Sequence, residues 1–309
     1  MVYRNAYETT ALDIMTILLT GGTGFVGRHL AAKLSALGHD LIILSRRPHK
    51  VPSVYTAIAS LNDIPPSQTI DGIINLAGAP IDKRWTDAYK KVLINSRIRT
   101  TQNIIDLIER LNTKPPFLMS ASAVGYYGAH PSDAVVTEET SPTPGFTHEL
   151  CQAWESKAGK AELLGVRVCY LRFGVVLSHG GMLKKLLLPY KWLMGGRIGD
   201  GKQGLSWIHI DDLCAAILFL ISHKEACGPY NLTAPEPTAQ GDFARALGTV
   251  LKRPTFAHIP GCVVNLLFGE MGRALLLKGA RVYPQKLQKA GFTFTYPTLT
   301  SALQQIIHA

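Results

Sequence analysis

The chain has 309 residues, 47% hydrophobic and 17% charged, with a formal net charge of +10. This composition suits a globule with a full core and excludes a disordered or low-complexity protein. The five cysteines, at 151, 169, 214, 227 and 262, contain no CxxC pair. They imply neither a metal site nor a disulfide framework, and a reducing cytoplasm is expected. No apolar run reaches the length of a membrane span, and residues 1–14 lack the features of a signal peptide, so they are expected to form a loose, disordered extension.

The first predicted strand, ILLT from residue 17, runs into a turn with glycines at 21, 24 and 27. Gly21 suits a tight turn, Gly24 lets the main chain approach a pyrophosphate, and Gly27 lets the next helix pack close to the strand. The N–H groups at that helix start favour an anion, and Thr23, Phe25 and Val26 between the glycines are further candidate contacts. The helix carries Leu30, Leu34 and Leu37 on one face and stops at Gly38. A second strand, LIILS, then ends in Ser45-Arg46-Arg47, where an NAD site would have a carboxylate for the ribose 2′-OH. An arginine fork there points to the 2′-phosphate of NADP. Two solvated arginines before the turn at Pro48 are the alternative.

Strand and helix patterns keep alternating: DGIINLAG, a helix over 95–111, FLMSAS, a helix from about 147 to 164 closed by Gly165, and RVCYLRF. The pattern predicts a Rossmann-type α/β fold, a doubly wound parallel sheet with helices on both faces. The alternation breaks over 178–206. WIHIDDL and AAILFLI resume a strand and helix of the first lobe, and helices follow from about 231. The expected division is therefore a nucleotide-binding domain over 15–172 plus 207–230 and a smaller C-terminal substrate lobe over 173–206 plus 231–309. That second lobe holds a net +9 and leaves +1 for the rest. The excess favours an anionic small-molecule substrate, phosphorylated or nucleotide-linked, with Lys184, Lys185, Arg197, Lys202 and Arg281 as candidates to face it. A solvated basic face is the alternative. No nucleic-acid-reading motif accompanies the charge, and no nucleic-acid or membrane partner is expected.

The order TGGTGFVG, NLAG at 75–78, Ser122 after a strand, LRFGVVL and WIHIDDL resembles the extended short-chain dehydrogenase/reductase superfamily, which includes nucleotide-sugar epimerases. APIDKRW, SAxxGYYG, the Trp154-Glu155 pair and RVYPQKLQKAGFTFTYPTL resemble more narrowly its epimerase family protein branch, with YfcH and SulA-like plant relatives. The resemblance implies NADP binding by Leu76, Ala77 and Gly78, with Asn95 and Arg97 near that loop and Arg172 toward the nicotinamide end. It also implies a Tyr-x-x-x-Lys pair, in which lysine lowers the tyrosine pKa. None of the eleven tyrosines has a lysine four residues later, and alignment on Glu155 puts Thr147 and Cys151 in those places. Ser122, Tyr126, Tyr127 and His148 remain as candidate catalytic groups. Two functions are consistent with these residues: an NADP-dependent oxidoreductase or epimerase with a rearranged proton relay, or a non-catalytic NADP-binding regulatory protein related to cell division.

Overall fold

A computed structural model describes residues 13–308. Of the extension expected over 1–14, all but Asp13 and Ile14 lies outside the described residues. The first half of the chain forms β1 (Thr16–Thr20), α1 (Phe25–Ala36), β2 (Asp40–Leu44), β3 (Thr56–Ile58), β4 (Gly72–Asn75), α2 (Asp87–Arg110), β5 (Phe117–Ala123), β6 (Val135–Val136) and α3 (Phe146–Ala158). The second half forms β7 (Arg167–Phe173), β8 (Val175–Leu177), α4 (Gly181–Lys191), β9 (Gly196–Ile198), β10 (Trp207–His209), α5 (Ile210–Ser222), β11 (Gly228–Leu232), α6 (Gln240–Leu251), β12 (Ala257–Ile259), α7 (Gly261–Leu275), β13 (Arg281–Val282), α8 (Gln285–Lys289) and α9 (Leu299–His308).

Seven parallel strands form one sheet in the order β11-β7-β5-β4-β1-β2-β3. The chain runs outward in opposite directions from β1 and β4, so the crevice at their carboxyl ends is a topological switch point, where ligands of such sheets bind. Both faces of the sheet are covered, which is why its strands read as unbroken apolar runs. Ile17 and Leu19 of β1 pack with Leu30 and Leu34 of α1 and Leu213 and Ile217 of α5, whereas Leu18 between them packs with Ile104, Ile105 and Ile108 of α2.

A separate core joins Leu183 and Tyr190 of α4 to Trp207, Phe243 and Leu247 of α6, and Leu303 and Ile306 of α9. Three elements differ from expectation. The strand in WIHIDDL pairs with β8 outside the main sheet, and it is β11, two elements later, that extends the sheet beside β7. The helix expected over 95–111 begins eight residues earlier, at Asp87, with the Thr86 hydroxyl capping it by accepting from the Tyr89 N–H. Its extra turns pack on α7 through Leu93 and Met271 and through a 2.6 Å Lys90–Glu270 ion pair, contacts that local periodicity does not show. The helix expected to reach 164 is α-helical only to Ala158 and continues as a 3-10 stretch over Gly159–Leu164, with Gly165 left-handed at its end. Among the described residues, no helix is long and apolar enough to cross a membrane.

Candidate cofactor and active site

The glycine turn lies at the switch point. Gly21 has φ +72°, and a Cβ there would stand 2.7 Å from the Leu76 carbonyl, so the turn and the strand-end loop need glycine to lie this close. A Cβ on Gly27 would overlap the Gly21 carbonyl oxygen. Thr23 and Gly24 are exposed, Phe25 and Val26 half-buried. Helix α1 begins at Gly24 with no side-chain cap and no acidic residue in its first turn, leaving its first N–H groups for an anionic ligand. At the end of β2 the buried Ser45 accepts from the Arg47 N–H at 3.2 Å, and Arg46 and Arg47 are exposed. A glycine cradle that a Cβ would fill, an uncapped helix start and two exposed arginines without an ion-pair partner among the described residues all fit a dinucleotide bearing an extra phosphate.

The loop after β4 is held from below. Asn75, fully buried, accepts from the Thr20 hydroxyl at 2.7 Å and donates to Thr101 of α2 at 3.0 Å, and Thr101 also accepts from the Trp154 indole of α3 at 3.1 Å. Leu76 and Ala77 are half-buried and Gly78 is exposed. Asn95 is exposed and makes no side-chain hydrogen bond to this loop; Ser96 takes that place, accepting from the Ala79 N–H at 3.0 Å. Arg97 does reach the loop: it donates to the carbonyls of Leu93 and Ala79, lies over the Trp154 ring, and would be 3.1 Å from a Cβ on Gly78. Burial lowers its pKa, and it has no carboxylate partner among the described residues.

Three expected site residues serve the interior instead. Ser122 and Arg172 stand opposite each other in neighbouring strands β5 and β7, and both are 3% exposed. Glu155 of α3 accepts from the Ser122 hydroxyl at 2.6 Å and from Arg172 Nε and Nη2 at 2.8 Å each. Arg172 Nη1 donates to the Tyr127 hydroxyl at 2.9 Å, and that hydroxyl donates to Asn231 of β11 at 2.7 Å. Burial works against the Arg172 charge, yet the hydrogen bonds and charge of Glu155 outweigh it and hold the guanidinium above its ordinary range. Tyr127 is completely buried, and burial pushes its phenol up to about 12. Ser122, Tyr127 and Arg172 are thus tied to one another and to Glu155 and Asn231 inside the sheet–helix interface, with three of the five Arg172 N–H groups engaged there. Sequence signalled Glu155 as a motif residue without showing that it faces Arg172, and nothing local pointed to Asn231.

Tyr126 and His148 are left at the surface of this network, both half-buried. The Tyr126 ring lies over the Arg172 guanidinium at 3.5 Å and edge-on to the His148 ring at 5.0 Å. His148 Nδ1 is 2.7 Å from the Tyr126 carbonyl, which can only accept, so Nδ1 carries the proton and Nε2 is the basic nitrogen. Thr147 packs on Gly125, where a Cβ would come within 3.2 Å of it. Burial, then the neighbouring Glu155, pushes the Cys151 thiol up to about 11, so neither residue reproduces a tyrosine–lysine pair. Among the described residues, no group of His, Cys, Asp or Glu is arranged to hold a metal ion.

The sheet order, glycine cradle and paired helices define an NAD(P)-binding Rossmann protein of the extended short-chain dehydrogenase type. Residues 17–233 match the NAD dependent epimerase/dehydratase family, to which the chain belongs, and residues 259–306 match a domain of unknown function, DUF1731. Epimerase family protein YfhF of Bacillus subtilis is 38% identical over 298 residues, 95% of this chain and 98% of the relative. Epimerase family protein MW0731 of Staphylococcus aureus is 41% identical over 299 residues, 94% of this chain and 98% of the relative. Among solved structures, the human epimerase family protein SDR39U1 with NADPH superposes with a TM-score of 0.85 at 30% identity, covering 95% of this chain and 99% of that one.

Proposed function

We propose that this chain is an NADP(H)-dependent oxidoreductase or epimerase-type enzyme acting on a phosphorylated or nucleotide-linked small molecule in a reducing cytoplasm. The observation that carries the cofactor choice is the exposed Arg46-Arg47 pair at the end of β2, where a strand-end carboxylate that would repel a 2′-phosphate is replaced by Ser45-Arg46-Arg47. NADPH in the human relative's structure supports it. The uncapped start of α1 would hold the diphosphate, and Leu76, Ala77, Gly78 and Arg97 would border the cofactor. The nicotinamide, when bound, supplies hydride exchange. Tyr126 and His148 supply the proton side: the Tyr126 carbonyl fixes the histidine tautomer, and Nε2 is left to hold or release a proton.

A second reading, a non-catalytic NADP-binding regulator of the SulA-like kind, is favoured by one observation, the replacement of the tyrosine–lysine pair by Thr147 and the buried Cys151. Titration of NADPH and NADH into the parent chain and Arg46→Ala tests the cofactor. NADPH is expected to bind 10- to 100-fold more tightly, the worth of about 1.5–3 kcal/mol for one charge-assisted contact, and the variant to lose most of that margin. Equal affinities in the parent refute it. Incubating the chain, loaded with NADP+ or NADPH, with pools of phosphorylated metabolites separates the two functions: an oxidoreductase changes the nicotinamide absorbance, an epimerase changes a metabolite's stereochemistry with no net change in absorbance, and a regulator does neither.

A further inference from the structure

The basic excess of the C-terminal lobe goes to two places. Arg197, Lys202 and Arg281 line a cleft of about 500 Å³ between β9, the start of α6 and β12, with Phe256 on its rim. Lys185, expected among the anion-facing residues, is instead paired with Asp82 across the lobes, and Lys184 is exposed on α4, one turn before Leu188. The second place is the corner where β9 and β12 begin. These strands run parallel with Gly196 opposite Ala257, so the residues that lead into them, Trp192-Leu193-Met194 and Phe256, emerge side by side. Trp192 is 71% exposed and Phe256 80%, and Leu188, Leu193 and Met194 are exposed with them. Scattered apolar side chains at a surface are ordinary, but five large ones gathered at one corner mark an interaction site.

The turn holds them outward. Leu193 has φ +58°, the left-handed position after a helix that glycine usually fills, with its N–H on the Tyr190 carbonyl and the Met194 N–H on the Pro189 carbonyl. Gly195 then lies flat on the Tyr190 ring, which a Cβ there would overlap. Cations border the corner. Lys191 precedes Trp192, and Lys252 and Arg253 stand shortly before Phe256; all three are exposed and have no carboxylate partner among the described residues. Lys191 and Arg253 line one cavity between α4, α6 and α9, so the cations of the two segments meet in space. The sequence has no Asp or Glu over 178–199 or over 243–269.

We infer that this corner is a peripheral membrane-binding surface, at which Trp192, Met194 and Phe256 enter the interfacial layer of an anionic bilayer while Lys191, Lys252 and Arg253 meet its headgroups. Charge and shape select this occupant. A second copy docked through the same patch would bring like cations together. An acidic helix would need a groove to lie in, whereas these side chains stand out from the surface. The sequence gives no sign of the patch, because its apolar residues lie about 60 positions apart and only the β9–β12 pairing joins them. The surface shares no residue with the dinucleotide cradle, so it is independent of the cofactor reading.

The probes are vesicles of pure phosphatidylcholine and of an equal mixture of phosphatidylcholine and phosphatidylglycerol, added to the full-length chain. Trp192 is the one exposed tryptophan of four, Trp85, Trp154 and Trp207 being buried, so the emission spectrum reports its surroundings directly. A saturable blue shift on the anionic vesicles is expected, quenched by brominated acyl chains and at least about 10-fold weaker on pure phosphatidylcholine. Lys191→Gln, Lys252→Gln and Arg253→Gln together are expected to weaken binding about 100-fold, near fivefold per cation. Met194→Ser with Phe256→Ser, which keeps the reporter, is expected to weaken it at least about 10-fold. Both variants change exposed side chains and should retain the parent's Tm and NADPH affinity, which separates lost docking from misfolding. No shift on anionic vesicles, equal binding to both vesicle types, or binding indifferent to both variants would each overturn the assignment. A blue shift that grows with protein concentration in the absence of vesicles would also overturn it, giving the corner to a second copy.

Discussion

Removing the Glu155 carboxylate should be among the costliest single changes in this chain. The carboxylate is 8% exposed as a residue and accepts three hydrogen bonds, from Ser122 at 2.6 Å and from Arg172 Nε and Nη2 at 2.8 Å. In Glu155→Ala the Arg172 charge stays buried with the Tyr127 hydroxyl and the Tyr126 ring beside it but no carboxylate, the situation in which breaking a buried pair costs about 3–5 kcal/mol. For a chain of this size the loss corresponds to roughly 5–8 °C in Tm. Denaturant titration with circular dichroism measures the free energy, and thermal melts give the second reading. Exchanging both partners, Glu155→Leu with Arg172→Met, removes the unpaired charge and should recover part of the loss, though Ser122 and Tyr127 then lack partners. A loss under about 1 kcal/mol in the single variant, or a double variant worse than the sum of the singles, would refute the account of Glu155 as the centre of this network.

Gly27→Ala places a methyl on the Gly21 carbonyl and is expected to abolish NADPH binding while secondary structure by circular dichroism persists; retained affinity would show that the turn can open. His148→Gln keeps a donor toward the Tyr126 carbonyl but has no ring nitrogen to pass a proton, so any turnover found should fall about 100-fold or more, with NADPH affinity unchanged. His209 gives a stability signature. It is fully buried, burial lowers its pKa, and its neutral ring accepts from the Asp211 N–H at Nδ1 while Nε2 faces Gln305 at 2.9 Å. Below about pH 6.5 the unfolded chain takes up a proton that the folded chain refuses, so stability present above that pH is lost as pH falls, by at most about 1.4 kcal/mol per unit for one group. His209→Asn should flatten part of that slope in denaturant titrations between pH 7 and 5, with the remainder including His39, whose pKa burial also lowers.

The sequence by itself determined the architecture near β1 and β2. A buried parallel strand must be apolar throughout, a strand-to-helix turn that touches Leu76 must be glycine, and Arg46-Arg47 follows directly from the end of a strand; each is a local constraint written in adjacent residues. The early start of α2 was not legible, because its first turns are held by α7, some 180 residues away in the chain, rather than by an amphipathic pattern of their own. Nor was the fate of Ser122, Tyr127 and Arg172. Residue types that hydrogen-bond a substrate are the same types that hydrogen-bond one another, and only the register of β5 against β7, with α3 laid across them, brought Glu155 to Arg172 and closed that network. Tertiary structure likewise drew Arg281 to the cleft of Arg197 and Lys202, about 80 residues earlier in the chain, while pairing Lys185 with Asp82. Charge acts through space, and a count along the chain gives its sum without its position.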